Sequence, residues 1–171
     1  MSGAIFFSGK YGSTEQYAKW IGEATGLPVF DIKDTNADPS KYEFLILGSP
    51  ILFFRLTIRK WAKANLAKLE GRSKILFSVS GAGASAKLNR WVAASLPSGF
   101  LSQMEHVPLR GMLDHSKVSW WLRKILWVGS LFNPDPQARK DERGGFDYMD
   151  KASIEPIIKM IQRYQATQET T

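Results

Sequence analysis

Apolar residues along this chain fall into short solid runs separated by amphipathic stretches. Ala4-Ile5-Phe6-Phe7, Phe44-Leu45-Ile46-Leu47-Gly48 and Ile75-Leu76-Phe77-Ser78-Val79-Ser80 are nearly unbroken, the pattern of parallel strands covered on both faces. Val29-Phe30-Asp31-Ile32 is a shorter strand-like piece, and a weaker strand is expected from Met104 to Leu109. Between these runs the period changes to that of a helix. Tyr17, Trp20, Ile21 and Ala24 recur at i, i+3, i+4, i+7, with Gly26 as the stop and Pro28 beyond it. A second helix is expected over 57–69. A third carries Leu88, Trp91, Val92 and Leu96 on one side until Pro97-Ser98-Gly99 breaks it. The last runs over 152–164, with Asp150 placed to cap its start. Asn36-Ala37-Asp38-Pro39-Ser40 is turn chemistry with no helix.

Five strands alternating with helices predict a parallel sheet with right-handed crossovers and helices on both faces. Five is the count of the doubly wound order 2-1-3-4-5, in which a ligand lies beyond the carboxyl ends of the strands at the topological switch point. One stretch exceeds that minimal fold. About forty residues separate the fifth strand from the last helix, and 118–132 within them is apolar on most of its circumference, broken chiefly by Arg123 and Lys124.

Composition narrows the class. The 171 residues, 44% hydrophobic and 23% charged, fit a single domain spanning 1–171 and exclude disorder, collagen-like repeats and a coiled coil. Cysteine is absent, so disulfides, thiolate metal sites, iron–sulfur ligation and cysteine nucleophiles are excluded, and redox chemistry requires an organic cofactor. The two histidines, His106 and His115, have no metal-ligand spacing. No apolar run reaches the ~20 residues of a bilayer span, and the start lacks the basic and long apolar regions of a signal peptide, so the cytoplasm is the expected address. The net charge of +7 comes from one window: residues 55–90 hold nine Lys or Arg against Glu70 alone, a balance of +8, and the rest sums to −1. That window is either a solvated basic face or a frame around a site.

The first strand ends in Ser8-Gly9-Lys10-Tyr11-Gly12-Ser13-Thr14 and opens directly into a helix. A loop of this kind suits a phosphate, because backbone N–H groups and the helix N-terminus face the anion. Gly12 lets the backbone approach, Ser8, Ser13 and Thr14 offer hydroxyls, and Lys10 adds charge. The loop is neither G-x-x-x-x-G-K-[ST] nor G-x-G-x-x-G.

Ile5 to Thr14, with Ala18 and Ile21 after it, resembles the phosphate signature of flavodoxins, which bind FMN. Gly9 stands where many members have Ser or Thr, and Ser8 is placed to substitute. The resemblance implies a flavodoxin-like doubly wound sheet of five parallel strands, with FMN as cofactor. It also implies two ring loops. Gly48-Ser49-Pro50-Ile51-Leu52-Phe53-Phe54, after the third strand, resembles the first, with Phe53 or Phe54 stacking on the isoalloxazine. Ser80-Gly81-Ala82-Gly83, after the fourth, resembles the second, whose backbone groups bond the polar edge of the ring. Within the family the chain is most similar to flavodoxin-type menaquinone-dependent protoporphyrinogen IX dehydrogenases. They too carry an aromatic, basic insertion (here 120–132), an Arg-Lys pair (Arg139-Lys140) and a Tyr-x-Asp before the last helix (Tyr148-Met149-Asp150). Members often have Trp after that Asp; this chain has Lys151.

The resemblance implies an FMN-dependent oxidoreductase acting on an anionic porphyrinogen-like substrate or a quinone, with no general acid or base to name. The alternative is a flavodoxin-like electron-transfer protein whose basic face docks an acidic partner. The resemblance implies that electron-carrying members are typically acidic; a basic frame around the ring loops is instead expected to favour the reduced FMN anion. Segment 118–132 is expected to cover the flavin site and meet the inner face of a membrane or a partner, or else to pack on the core or form a homo-oligomer contact. Nucleic-acid binding is not expected, since the basic window lacks a reader motif.

Overall fold

Along the first strand Ile5 and Phe7 join one apolar core while Ala4 and Phe6 join another, and all four are buried. The same division recurs at Phe44 and Ile46 against Leu45 and Leu47, and at Ile75 and Phe77 against Leu76. Successive side chains of a strand point to opposite faces, so a run apolar at every position needs cover on both. The computed structural model describes residues 2–9, 12–114 and 136–166, together with Trp120, Lys124, Trp127, Val128 and Leu131.

The chain order is β1 (Gly3–Phe7), α1 (Ser13–Thr25), β2 (Val29–Asp31), β3 (Phe44–Leu52), β4 (Arg55–Leu56), α2 (Arg59–Ala64), α3 (Leu66–Leu69), β5 (Ser73–Ser80), α4 (Ala86–Ala93), α5 (Ser98–Leu101), β6 (Met104–Arg110), β7 (Met112–Leu113), α6 (Pro136–Gly144), β8 (Phe146–Asp147) and α7 (Glu155–Ala166). The main sheet has the order β2-β1-β3-β5-β6, every neighbouring pair parallel, and β4 joins β3 antiparallel. Counting the parallel strands alone, this is the expected 2-1-3-4-5. Helices α1 and α7 cover one face through Tyr17, Ala18, Ile21, Ile157 and Ile161. The other is covered from α2 to α5 through Ala62, Leu69, Leu88, Val92 and Phe100.

Several boundaries differ from the expected ones. The helix over 57–69 is two pieces divided at Asn65, whose Nδ2 donates to Trp61 O at 2.9 Å and whose backbone leaves the helical region; its side chain competes with the helix ladder. The third strand continues past Gly48 to Leu52, because β4 folds back on it with Leu52 opposite Arg55. Asp38 caps a single 3-10 turn, Pro39–Lys41, by accepting from Ser40 N at 3.0 Å. The last helix is preceded by a 3-10 turn, Lys151–Ile154, and Asp150 caps that turn by accepting from Ala152 N at 2.9 Å. Gly26 ends α1 in the left-handed conformation, as expected.

The basic window is divided between the two ends of the sheet. At the amino end, Arg72 donates to Tyr42 O (2.7 Å), Lys68 O (2.5 Å) and Ser40 O (3.0 Å). Lys74, fully buried, donates to Leu69 O (3.1 Å) and Arg72 O (2.6 Å); burial pushes its pKa down. Lys68 pairs with Asp38 at 3.3 Å. These cations tie the α3–β5 connection to the start of β3. Six residues of strand, about 20 Å, separate Lys74 from Ser80, beyond a Debye length of about 8 Å.

On β6, the ring of His106 shares a 2.8 Å hydrogen bond with the buried hydroxyl of Ser78, and burial lowers its pKa from 6.5. The unfolded imidazole therefore takes up a proton near pH 6.5 while the folded one resists until lower pH, so acid favours the unfolded chain. Stability in urea is expected to fall as the pH drops below 6.5, and His106→Gln to flatten that decline. Parallel losses in both proteins between pH 7.5 and 5 would refute the assignment to His106.

Candidate functional site

The carboxyl ends of β1, β3, β5 and β6 lie along one edge of the sheet. At the end of β1 the Ser8 N–H still donates to Gly48 O (2.9 Å), after which the chain turns into α1. Gly12 caps that helix at φ 95°, a conformation that an L side chain rarely adopts, and no side chain fills the cap. Gln16 N–H closes the first turn onto Gly12 O at 2.9 Å. The N–H groups of Ser13, Thr14 and Glu15 thus have no acceptor within the helix and are available to an anion at its end. Lys10 and Tyr11 lie outside the described residues.

The hydroxyls of this loop have partners far away in sequence. Ser8 Oγ lies 2.5 Å from Thr57 Oγ1. Ser13 Oγ accepts from Met112 N at 3.1 Å and is 3.3 Å from Met112 O. Thr14 is buried at the start of α1. Thr57 therefore belongs to the site although it is 49 residues from Ser8, a pairing without any local sequence signal.

The segment after Gly48 is a strand and hairpin rather than a loop. Ser49 is fully buried, and its Oγ accepts from Ile58 N (3.2 Å), donates to Pro50 O (3.0 Å) and lies 3.3 Å from Thr57 Oγ1. Ser49 thereby holds the hairpin to the following helix. Pro50, Ile51 and Leu52 lie in β3. Phe53 and Phe54 form the two-residue turn, both left-handed (φ 50° and 62°) and exposed by 59% and 65%. Hairpin turns of this form usually use Asn-Gly or Asp-Gly, and a left-handed backbone costs an ordinary residue roughly 1–2 kcal/mol. Phe54 leans on Trp91 of α4, ring centroids 5.2 Å apart, and Lys87 Nζ lies 5.6 Å from the Trp91 ring.

The Ser80–Gly83 segment forms the third wall. Ser80 Oγ is buried with no hydrogen-bond partner among the described residues. Phe146 packs on Gly81, where an added Cβ would stand 2.6 Å from the ring. Phe146 and Tyr148 stack at 5.1 Å and 24°. Arg110 lies over Tyr148, its guanidinium carbon 3.6 Å from the ring centroid, and its Nη2 donates to Gly81 O at 3.3 Å.

Tyr17 fastens these elements together. Its hydroxyl donates to Arg110 O (2.7 Å) and accepts from Asp150 N (3.1 Å). Beyond β6 the antiparallel pair β7–β8, with Met112 opposite Asp147 and Leu113 opposite Phe146, closes the base of the insertion over this edge. Most of 118–132 lies outside the described residues. Trp120, Lys124, Trp127, Val128 and Leu131, which are described, have helical backbone and are exposed. Arg139 and Lys140, exposed on α6, line a surface hollow with Pro136 and Gly144. Among the described residues no cluster of His, Asp and Glu is arranged to hold a metal.

The edge thus combines an anion-accepting helix end, an exposed aromatic turn and a glycine loop headed by an unsatisfied hydroxyl. Thr57, Arg110, Met112, Phe146 and Tyr148 join it only through the fold.

Solved structures share the architecture. A flavodoxin, WrbA-like protein from Agrobacterium tumefaciens superposes with a TM-score of 0.51 at 16% identity, covering 83% of this chain and 92% of that one. The Trp repressor binding protein from Bacillus subtilis gives 0.50 at 14%, covering 87% and 100%. At such identities the likeness speaks for the fold. Among curated proteins no match was found. The family model of the flavodoxin domain matches residues 4–134, which include the loops after β1, β3 and β5. With strand order, switch-point loop and family match in agreement, the chain belongs to the flavodoxin domain family.

Proposed function

We propose that the chain is an FMN-binding oxidoreductase. The phosphate sits at the amino end of α1, and the isoalloxazine lies between the Phe53–Phe54 turn and Ser80–Gly83. The observation that carries this reading is the meeting of those three features on one sheet edge, with a buried unsatisfied hydroxyl, Ser80 Oγ, at the start of the third. The residues fit the group. Gly12 and the N–H groups of Ser13 and Thr14, with the Ser8 and Thr14 hydroxyls, hold the phosphate; the Ser13 hydroxyl, tied to Met112, braces the loop, and Gly9, Lys10 and Tyr11 complete it in sequence. Phe53 is assigned the stacking role, because Phe54 already packs on Trp91. Pro50, Ile51 and Leu52 carry that turn. Ser80 and the backbone of Gly81, Ala82 and Gly83 bond the polar edge of the ring. Bound FMN supplies electron exchange with organic substrates; the chain binds, orients and shields it.

For the reaction itself we infer a protoporphyrinogen IX dehydrogenase passing electrons to a quinone. The support is the resemblance carried by the insertion, Arg139-Lys140 and Tyr148-Met149-Asp150. Carboxylates of such a substrate would meet the basic side chains of the rim, Arg55, Lys87, Arg90 and Arg110. The same rim favours a second reading, an electron-transfer protein that docks an acidic redox partner.

Segment 118–132 is assigned to a membrane contact. Trp120, Trp127, Val128 and Leu131 recur at i, i+7, i+8 and i+11, one side of a helix, and are exposed by 48–69%. Lys124 Nζ lies 5.0 Å from the Trp120 ring. Trp with Lys on an apolar stripe is an interfacial composition. No helix among the described residues is long and apolar enough to cross a membrane.

Titration with FMN is expected to saturate with loss of flavin fluorescence. Thr14→Ala should weaken binding about tenfold or more, since a hydrogen bond to a charged group contributes about 1.5–3 kcal/mol. A chain that takes up no FMN would sink the proposal. With FMN bound, anaerobic turnover of protoporphyrinogen IX with a menaquinone analogue is expected. Silence there, with rapid electron exchange to an acidic redox protein, would favour the second reading. In flotation with anionic vesicles the chain should rise with the lipid and a variant lacking 118–132 should not; equal flotation of both would remove the membrane assignment.

A further inference from the structure

Arg110 ends β6 opposite Ser80, the last residue of β5. Three contacts hold its long side chain. Nη2 donates to Gly81 O at 3.3 Å, Cζ lies 3.6 Å from the centre of the Tyr148 ring, and Cδ lies 3.6 Å from where a Cβ on Gly83 would stand. Its backbone is fixed as well, by Tyr17 Oη on Arg110 O and by the β5–β6 register. Among the described residues no carboxylate pairs with it. A guanidinium keeps its charge at every working pH. The result is a fixed positive charge at the loop assigned to the ring's polar edge, with no paired carboxylate among the described residues.

We propose that Arg110 is the positioning residue that tunes the bound flavin toward its reduced, anionic form; this rests on the FMN reading above. Two electrons and one proton taken up by the oxidised isoalloxazine leave one negative charge on the ring. Arg110 acts on that charge in two ways. Its own field stabilises the anion from within hydrogen-bonding distance of the loop. Its bond to Gly81 O also polarises the peptide unit shared by Gly81 C=O and Ala82 N–H, making that N–H a stronger donor toward an electron-rich ring edge. The basic window supplies the larger number of charges, but Lys68, Arg72 and Lys74 are occupied at the opposite end of the sheet. Lys87 stands over Trp91 on the rim.

The test is the two-electron midpoint of bound FMN, measured by dithionite titration against reference dyes in wild type, Arg110→Gln, Arg110→Lys and Lys87→Gln. FMN affinity and melting temperature are measured for each. Arg110→Gln is expected to bind oxidised FMN normally while its preference for reduced over oxidised FMN falls about tenfold, equivalent to a midpoint about 30 mV lower. Arg110→Lys should retain most of that preference, and Lys87→Gln should match wild type. A folded, FMN-loaded Arg110→Gln with the wild-type midpoint would overturn the proposal, as would an Arg110→Lys as deficient as the Gln variant or a Lys87→Gln shifted equally. A wild-type chain that binds no FMN would instead overturn the cofactor assignment, and this inference with it.

Discussion

Burial of the central strands on both faces is the constraint from which the rest follows. Phe6, Leu45, Leu47 and Leu76 need one layer of helices, and Ile5, Phe44, Ile46 and Phe77 need another. Parallel strands meet that need through crossovers, and crossovers bring the carboxyl ends of β1, β3, β5 and β6 to one edge. There the loops bring backbone groups and polar side chains out of the double cover. The candidate site is therefore a consequence of the packing as much as of its own residues.

What makes that edge precise is a small set of polar ties between distant segments. The buried hydroxyl of Tyr17 bridges β6 and the approach to α7. Thr57 joins Ser8 to Ser49, so the loop after β1 and the hairpin after β3 share one hydroxyl cluster. The hairpin is fastened again where Ser95 Oγ accepts from Leu56 N (2.9 Å) and Arg55 donates to Ala94 O (2.7 Å). Such anchoring lets two phenylalanines persist in a left-handed turn. Strain of this kind is kept where surrounding structure over-determines it, and it gathers at functional surfaces.

Charge shows how far linear position can mislead. The +8 window is contiguous in sequence, yet its helices carry the chain from one edge of the sheet back to the other. Lys68, Arg72 and Lys74 end as ties for backbone carbonyls and Asp38. Arg110, outside the window, stands at the edge where the loops meet. At the outer strand the tie is again between distant residues: Tyr164 donates to Glu105 at 2.9 Å, and burial together with that carboxylate pushes its pKa up to about 12.

The strands, the helix after β1 with its stop at Gly26, and the glycine and hydroxyl residues around the switch point were legible from pattern, and the sheet order followed from matching five strands to the doubly wound fold. They depend on short-range chemistry: side-chain alternation, helical period, and the few residues that accept unusual backbone angles. The break at Asn65 and the extension of β3 to Leu52 were not, since each depends on a competing bond or a returning strand. Nor could spacing reveal Thr57 beside Ser8, Phe146 on Gly81 or Arg110 on Tyr148. Those meetings bring together segments that are far apart in the chain. Local pattern chose the elements and their order, while packing of the two cores chose which distant side chains share the edge, because contact across a sheet is set by register and crossover rather than by neighbours in sequence.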